Sequence, residues 1–288
     1  MSADRPIGWS FLWSRRWIGY FSLLVLFSIA CVWLGNWQFE RRAEARAEIA
    51  RIDANYDADP APLEQLLPDP ANFDEDALKW HPVELRGRYV GESYLARNRP
   101  GPQGVGSNLV QAFETAEGSV FFIDRGWVPV SGTSEVPADL PAAPEGEAVV
   151  LARLRAGEPE IAGRSSAGRS LASIDLPELA RLSGQGGEQV YTAAYGQLVS
   201  EQPAARTGAL AQRPERDEGP HLSYALQWYV FILIAVIGVG YAARQEYRGF
   251  NADGESVRRE DRRKAERDRR RGPSDADEED ALLDGRAS

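Results

Sequence analysis

One histidine stands at the start of the second long apolar segment of the chain, within residues 219–228. On a helix, His221, Tyr224 and Trp228 share one stripe, because side chains three and four positions apart lie on the same face. A neutral imidazole backed by aromatic rings at a membrane edge can ligate a haem iron. The other interpretation is a polar residue at a helix start that hydrogen-bonds loop carbonyls. The residues alone leave both interpretations open.

A second cluster lies in residues 34–42, at the end of the first apolar segment. Trp37 and Arg41 are four positions apart and share a helical face, so the guanidinium can lie over the indole ring. Aromatic side chains at this level are typical of interfacial anchors, and spacing alone favours that role. We assign Gln38 and Arg42 of the same run to contacts with a partner or to the structure itself.

The third cluster is Asp124, Arg125, Gly126 and Trp127, which follow an apolar strand segment. A glycine beside an acidic and a basic residue after a strand is typical of a structural turn. We expect Gly126 to adopt a positive φ, where glycine is favoured. These four residues are therefore predicted to shape the backbone or to contact a partner.

The sequence contains no recognisable catalytic motif. There is no nucleophile elbow and no phosphate-binding loop, and the glycine-rich residues 101–106 fit a flexible hairpin loop. The only histidines are His81 and His221, and Cys31 is the single cysteine, so no metal-ligand spacing occurs. We predict that the protein is not an enzyme. The net charge of -10 argues against nucleic acid as a partner.

Two segments without charged residues, 18–34 and 224–243, decide the class of protein. Each approaches the roughly 20 apolar residues that cross a bilayer. Trp and Tyr residues stand at their ends, as expected at the headgroup level. Helices buried in a soluble protein rarely exclude charge over such a length. We therefore predict transmembrane helices at residues 17–38 and 221–243, the first of them an uncleaved anchor.

The remaining segments complete the predicted fold, which is a membrane α+β protein. Residues 1–16 form an N-terminal segment, and residues 39–79 form a helical stalk and a loop rich in Pro and Asp. Residues 80–220 have the strand periods and turn residues of an antiparallel β-barrel or sandwich, with one helix at residues 175–182. Residues 244–288 carry a basic block and then an acidic block, which predicts a mostly disordered tail able to lie on anionic lipid.

The orientation of the two spans does not follow from charge. Arginines flank both spans on both sides, so the count of positive charges near the membrane is close to equal. Two spans do place both termini on the same side of the membrane.

The clusters occur in an order that resembles the Surfeit-locus-one family of cytochrome c oxidase assembly proteins. The resemblance implies two spans that bracket an extracytoplasmic domain in the cell membrane, with both termini in the cytoplasm. The matching runs lie between residues 17 and 247 and are Leu34-Gly-Asn-Trp-Gln, Gly87-Arg-Tyr, Asn98-Arg99, Asp124-Arg-Gly-Trp-Val-Pro and His221-Leu-Ser-Tyr-Ala-Leu-Gln-Trp.

The resemblance also implies a role in the maturation of haem–copper oxidases, with oxidase subunits and the lipid bilayer as partners. Bacterial members of the family look like handlers of haem a, and the role carried over to His221 is that of a ligand to the haem iron. The side chains expected around the haem are Tyr224, Trp228, Trp37 and Arg41. Two functions remain open: a chaperone that delivers haem a to the catalytic subunit, and an accessory factor that stabilises the oxidase without contacting haem.

Overall fold

The computed structural model describes residues 8–129, 139–187, 189–252 and 254–271. In chain order the elements are a 3-10 helix (Trp9–Trp13), α1 (Arg15–Asn55), β1 (Ala61–Pro62), α2 (Leu63–Leu66), α3 (Glu75–Leu78), β2 (Pro82–Gly101), β3 (Gly104–Thr115), β4 (Val120–Pro129), β5 (Ala148–Ala156), β6 (Ser170–Leu171), α4 (Leu176–Leu182), β7 (Ala194–Gln202), α5 (His221–Phe250) and α6 (Glu255–Arg271).

The chain divides into two compact units. A helical unit comprises residues 1–43 and 219–288, and a β unit comprises residues 44–218. The long helix α1 contributes to both units, since its last turns, rich in Ala, Glu and Arg, belong to the β unit. These residues are good helix formers, which explains why the helix continues past its apolar part, as the sequence indicated.

Two helices of the described chain, α1 and α5, are long and apolar enough to cross a membrane. Only 11% of the apolar window of α1 and 6% of that of α5 is buried inside the protein. The core helix of a soluble protein would be mostly buried, so these exposed apolar surfaces suit contact with lipid chains.

Within the helical unit, α1 packs closely against α5. A Cβ added to Gly35 of α1 would lie 2.9 Å from the ring of Tyr229 on α5. The hydroxyl of Tyr229 donates a hydrogen bond of 3.1 Å to Oδ1 of Asn36. Ala225 of α5 and Cys31 of α1 are both buried. Small residues at the contact allow the backbones of two membrane helices to approach each other.

Aromatic and polar contacts join the other ends of the same two helices. The indole nitrogen of Trp17 donates a hydrogen bond of 3.0 Å to Glu246 of α5, and Arg16 forms an ion pair with the same carboxylate. The rings of Trp9 and Tyr247 are stacked with their centroids 4.4 Å apart. These contacts fix how far α5 is shifted along α1.

Five strands of the β unit close into a barrel. β2 pairs with β3, β3 with β4, β4 with β7, β7 with β5, and β5 returns to β2. Closure depends on the length of β2, because residues 82–87 pair with β5 while residues 87–101 pair with β3. The sheet is mixed, since β4 pairs parallel with β7, and β1 and β6 pair parallel with β2. The prediction of a barrel or sandwich is confirmed as a barrel, but the prediction that it is antiparallel was wrong, because a closed ring of five strands cannot be antiparallel at every pair.

Strand β4 is buried on both of its faces. Phe121 and Ile123 pack inside the barrel, while Phe122 points the other way and packs with Leu179 of α4. The sequence therefore shows a continuous apolar run here in place of alternation. Helix α4 begins where the sequence predicted, since the carboxylate of Asp175 accepts a hydrogen bond of 2.8 Å from the Glu178 amide.

The residues predicted to form a turn after this strand lie inside it. Strand β4 continues to Pro129, and Arg125 and Gly126 together stand opposite Leu109 of β3. This is a β-bulge, in which one strand carries an extra residue and bends. Gly126 has a φ of 104°, so the prediction of a positive φ is confirmed although the turn is replaced by a bulge.

Residues 244–271 correct the prediction of a mostly disordered tail. Helix α5 continues to Phe250, and α6 covers Glu255–Arg271. Arg, Glu, Lys and Ala fill α6, and side chains of opposite charge stand four positions apart in it, which favours a helix. The block pattern of charge concealed this helix propensity. The acidic part of the predicted tail, residues 272–288, lies outside the described residues.

Two smaller predictions also change. The predicted strands of the β unit include one long strand, β2, and the loop rich in Pro and Asp that was predicted within residues 39–79 contains β1, α2 and α3. The glycine-rich residues 101–106 connect β2 to β3 as a hairpin, as predicted, with Pro102 and Gln103 at its tip.

The bulge supplies a test of the backbone geometry. A Cβ at Gly126 would lie 2.8 Å from the carbonyl carbon of Gly208, whereas Gly146, with a φ of 79°, has nothing within 4 Å of the same position. We expect Gly146→Ala to cost about 1 kcal/mol through the strained φ alone. Gly126→Ala should cost about 3 kcal/mol or more, because the neighbouring backbone must also move. Thermal unfolding of the purified protein measures both, and equal losses would contradict the role of the bulge.

Candidate functional site

The imidazole of His221 contacts a side chain of the other long apolar helix, α1. His221 is the first residue of α5 and is half-buried. Its Nδ1 atom lies 2.9 Å from Oε1 of Gln38 on α1. Because an amide oxygen only accepts hydrogen bonds, this contact favours the neutral tautomer that carries its proton on Nδ1 and its lone pair on Nε2. A side chain on α1 thus fills the role that the second interpretation of the sequence gave to loop carbonyls.

Gly219 lies beside the other edge of the same ring. A Cβ at Gly219 would stand 3.2 Å from both Nε2 and Cδ2 of His221. Gly219 has a φ of 69°, a conformation that side chains rarely adopt. Gly219 therefore places no side chain against the Nε2 edge. A hydrogen bond that holds the imidazole at Nδ1 is an arrangement that metal-ligating histidines use.

The other residues predicted around the haem have different placements. Trp228 is half-buried on the same stripe of α5 as the histidine, whereas Tyr224 is 50% exposed. Trp37 is 41% exposed, and the guanidinium of Arg41 lies 5.7 Å from the centre of its ring. The predicted cation–π pair is therefore present on α1. It occupies the helix face next to the one that carries Gln38, since neighbouring positions are about 100° apart.

Three contacts of the helical unit were not found from the sequence. Gln38 was assigned to a partner or structural role, and its contact with the imidazole was not foreseen. The contact of Gly35 with Tyr229 and the position of Gly219 were also missed. The small residues Ser28, Cys31 and Gly35, spaced by three and four positions, carry the signal that could have identified the packed face of α1. Arg42 is half-buried four positions after Gln38.

In the β unit, Asp124 and Arg125 point to opposite faces of β4 and do not pair with each other. Asp124 is 2% exposed and accepts hydrogen bonds from the Gly126 amide at 3.0 Å and from the Asn108 side chain at 2.7 Å. Burial raises the pKa of the Asp124 carboxyl to about 6, and these two hydrogen bonds and the charge of Arg99 act against that rise.

Arg125 is fully buried and holds several chain segments together. Its guanidinium contacts the Glu201 carboxylate at 2.6 Å and donates to the carbonyl oxygens of Pro141 at 3.1 Å and Arg206 at 3.3 Å. It also lies 5.0 Å from the ring centre of Tyr89, whose hydroxyl donates a hydrogen bond of 2.7 Å to Glu201. Burial raises the pKa of the Tyr89 hydroxyl, and the Glu201 carboxylate adds to that rise. These contacts join β4 to β7 and to the segments around Pro141 and Arg206.

Trp127 closes the hairpin between β2 and β3. A Cβ at Gly101 or at Gly106 would fall within 2.4 Å of its ring, and its indole nitrogen donates a hydrogen bond of 3.0 Å to the carbonyl of Arg99. The glycines predicted as a flexible loop are therefore covered by an indole. Among the described residues, no group of three or more His, Cys, Asp or Glu side chains is placed to hold a metal ion.

The described chain thus has two apolar helices, one before and one after a β-barrel, and an imidazole at the start of the second helix. A protein-family model described as the SURF1 family matches residues 25–233. The chain is 32% identical over 245 residues to uncharacterized SURF1-like proteins of Mycobacterium bovis and Mycobacterium tuberculosis, covering 83% of this chain and 88% of each relative. The chain belongs to the SURF1 family, the Surfeit-locus-one family that its motifs resemble. The family is known in general for oxidase assembly factors.

Asp124 supplies a test of the electrostatics of the barrel. Its pKa of about 6 lies above the ordinary value of 3.8, so the folded state favours the protonated acid. The stability that this raised pKa contributes is then present below about pH 4 and is lost as the pH rises through about 6. Asp124→Asn cannot ionise. Its amide oxygen still accepts from the Gly126 amide, and the Asn108 side chain rotates so that its own oxygen accepts from the new amide nitrogen. We expect the variant to gain about 3 kcal/mol over the natural protein at neutral pH and nothing at about pH 4.

The control for this experiment is Asp139→Asn, at an exposed carboxylate whose pKa is lowered by hydrogen bonding to Arg206. This variant should show no gain at neutral pH. Thermal unfolding midpoints measured across the pH range check the result. If the unfolding midpoints of Asp124→Asn and of the natural protein changed with pH in parallel, ionisation of Asp124 would not destabilise the folded protein.

Proposed function

We propose that this chain assists the assembly of a haem–copper terminal oxidase and holds haem a through His221 before the haem reaches the catalytic subunit. Membership of the SURF1 family supports the general role. The observation that carries the finer proposal is the contact of 2.9 Å between Nδ1 of His221 and Oε1 of Gln38. It gives the imidazole the tautomer that a metal ligand needs.

The residues around the imidazole fit a haem. The space that a side chain of Gly219 would fill lies against Nε2, so the ligating edge is accessible in this direction. Trp228 and Tyr224 follow on the same side of α5 and offer an apolar surface for a porphyrin. Arg41 supplies a positive charge suited to a propionate. Haem a, when bound, supplies an iron that takes a nitrogen ligand.

Each side chain has a separate task in this proposal. Nε2 of His221 takes the iron, and the Nδ1 proton stays on the ring because Gln38 accepts from it. Gln38 therefore acts as a positioning residue for the imidazole. Trp228 and Tyr224 exclude water from one side of the ring. Trp37 and Arg41 mark the level of the membrane surface on α1.

An accessory role without haem is the second candidate. The single imidazole at the candidate site is the observation that favours it, since many proteins hold haem iron with two side chains. The contacts of the buried Arg125, and the hairpin covered by Trp127, would then make the β unit a rigid scaffold for oxidase subunits. The haem content of the purified protein separates the two functions.

We also propose that α1 and α5 span the cell membrane, with the β unit outside the cytoplasm and both termini inside. The exposed apolar faces of the two helices and the family membership support this placement. Lipid and oxidase subunits are then the partners, and no catalysis by the chain itself is involved.

The first prediction for this function concerns His221. Haem a that copurifies from cells able to make it should be lost in His221→Ala and retained in the control His81→Ala. Gln38→Leu should lower the haem content by about ten-fold, because residues that orient a ligand typically change affinity by this amount or more. Visible absorption spectra of equal amounts of folded protein measure the content. Equal haem in all variants, with oxidase assembly intact, would leave the accessory role as the better function.

The second prediction concerns topology. Cys31 is buried, so cysteines introduced at exposed positions can be labelled separately. A membrane-impermeant maleimide should label Glu145→Cys in intact cells, because the β unit lies outside, and should label Ala252→Cys only after lysis. The reverse pattern would overturn the orientation. Labelling of both sites only after lysis would place the whole β unit inside the cell.

A further inference from the structure

Helix α6 is strongly basic although the whole chain carries a net charge of -10. Residues 255–271 contain nine Lys and Arg residues and five Asp and Glu residues. Four residues separate the helix from the end of α5, and its described charged side chains are mostly exposed. A cationic surface of this kind attracts partners of opposite charge.

Contacts with α5 fix the level of α6 along that helix. Glu260 forms an ion pair with Arg244, and Asp261 forms an ion pair with Arg248. Arg244 directly follows Ala243, the last residue of the uncharged run in α5. Ion pairs between side chains therefore connect the middle of α6 to the part of α5 that directly follows its uncharged run.

The same ion pairs remove negative charge from the exposed surface of α6. The side of the helix toward α5 carries Glu260 and Asp261. With about 100° between successive residues, the opposite side carries basic residues and one acidic residue with a described side chain, Glu266. The basic residues of this side include Arg262, Arg263, Arg269 and Arg270.

We propose that this basic side of α6 binds the anionic headgroups of the membrane in which α5 is embedded. The inference rests on the proposed membrane placement of α5. So many charges cannot enter the hydrocarbon core, and the ion pairs to α5 hold the helix near the headgroups. Basic segments next to a span are attracted to anionic lipid, and each Lys or Arg near the surface adds to the attraction.

Lipid is a better occupant than a soluble acidic protein because of this position. The ion pairs place the arginines beside the end of a lipid-facing surface, where the negative charges of phospholipids are always within reach. The chain contains one other candidate, its own acidic residues 275–284. These residues follow α6 in sequence, and the experiment below separates them from lipid.

The test is amide hydrogen exchange of the full chain in lipid nanodiscs. One set of discs contains only phosphatidylcholine, and the other contains about 30% phosphatidylglycerol. We expect exchange in residues 255–271 to be about ten-fold slower in the anionic discs, and expect this difference to disappear at high salt. Exchange in the apolar parts of α1 and α5 should be the same in both lipids.

A charge-removed variant and a matched control complete the design. The variant R262Q/R263Q/R269Q/R270Q should lose the lipid-dependent slowing, and Gln is nearly as good a helix former as Arg. The control R86Q/R88Q/R164Q/R181Q removes the same charge from exposed positions of the β unit and should keep the slowing.

Three results would overturn the proposal. The first is equal exchange in the two lipids. The second is slow exchange in both lipids that becomes fast when the chain is truncated after Arg271, since the acidic segment would then be the occupant. The third is failure of the chain to enter either disc, which would remove the membrane placement itself. Failure of the haem prediction alone leaves this proposal unaffected.

Discussion

The close approach of α1 to α5 is the constraint on which the candidate site depends. Two helices in lipid gain little from hiding apolar surface from each other, because the lipid chains are equally apolar. Packing and hydrogen bonds must therefore hold them together. The missing side chain of Gly35 lets the ring of Tyr229 reach the α1 backbone, and Gln38 stands one turn further along, where it reaches His221. A larger residue at position 35 would move the amide away from the imidazole.

In the β unit, an alternation of faces separates two buried charges. Arg125 and Asp124 are neighbours in sequence, yet the strand sends one to the Glu201 carboxylate and the other to the Asn108 amide. Burial of a charge is costly unless it is paired, and breaking such a pair is more damaging than never having formed it. The bulge at Gly126 and the guanidinium of Arg125 together attach residues 139–142 and 206–209 to the barrel. The Asp124–Arg125–Gly126 segment is therefore the point at which distant loops are attached to the barrel.

Local signals predicted the local features well. The exclusion of charge over two long segments identified α1 and α5, the Asp175 carboxylate identified the start of α4, and a glycine after a strand identified the positive φ of Gly126. Such features depend on neighbours in sequence. Helix propensity also predicts α6, but the blocks of like charge were given more weight than the oppositely charged pairs four positions apart.

Features formed by residues far apart in the sequence could not be predicted from such local signals. Gln38 and His221 are 183 positions apart, and Arg125 and Glu201 are 76 apart, so no periodicity in the sequence connects either pair. The closure of the barrel was hidden for a similar reason, since one strand, β2, pairs with two partners along its length. A strand pattern reports burial, but it does not report which neighbour supplies each hydrogen bond.

The acceptor at Nδ1 of His221 is a neutral amide, and this has a consequence for the timing of transfer under the proposed function. A carboxylate in the same place would pull on the ring proton and make Nε2 a stronger electron donor to a metal. The amide of Gln38 orients the ring with less of this effect, so the bond to a haem iron held by Nε2 would be weaker. Each 1.4 kcal/mol of lost affinity shortens the residence of a ligand about ten-fold when association is unchanged. An oxidase benefits from permanent cofactors, whereas a carrier benefits from an early release.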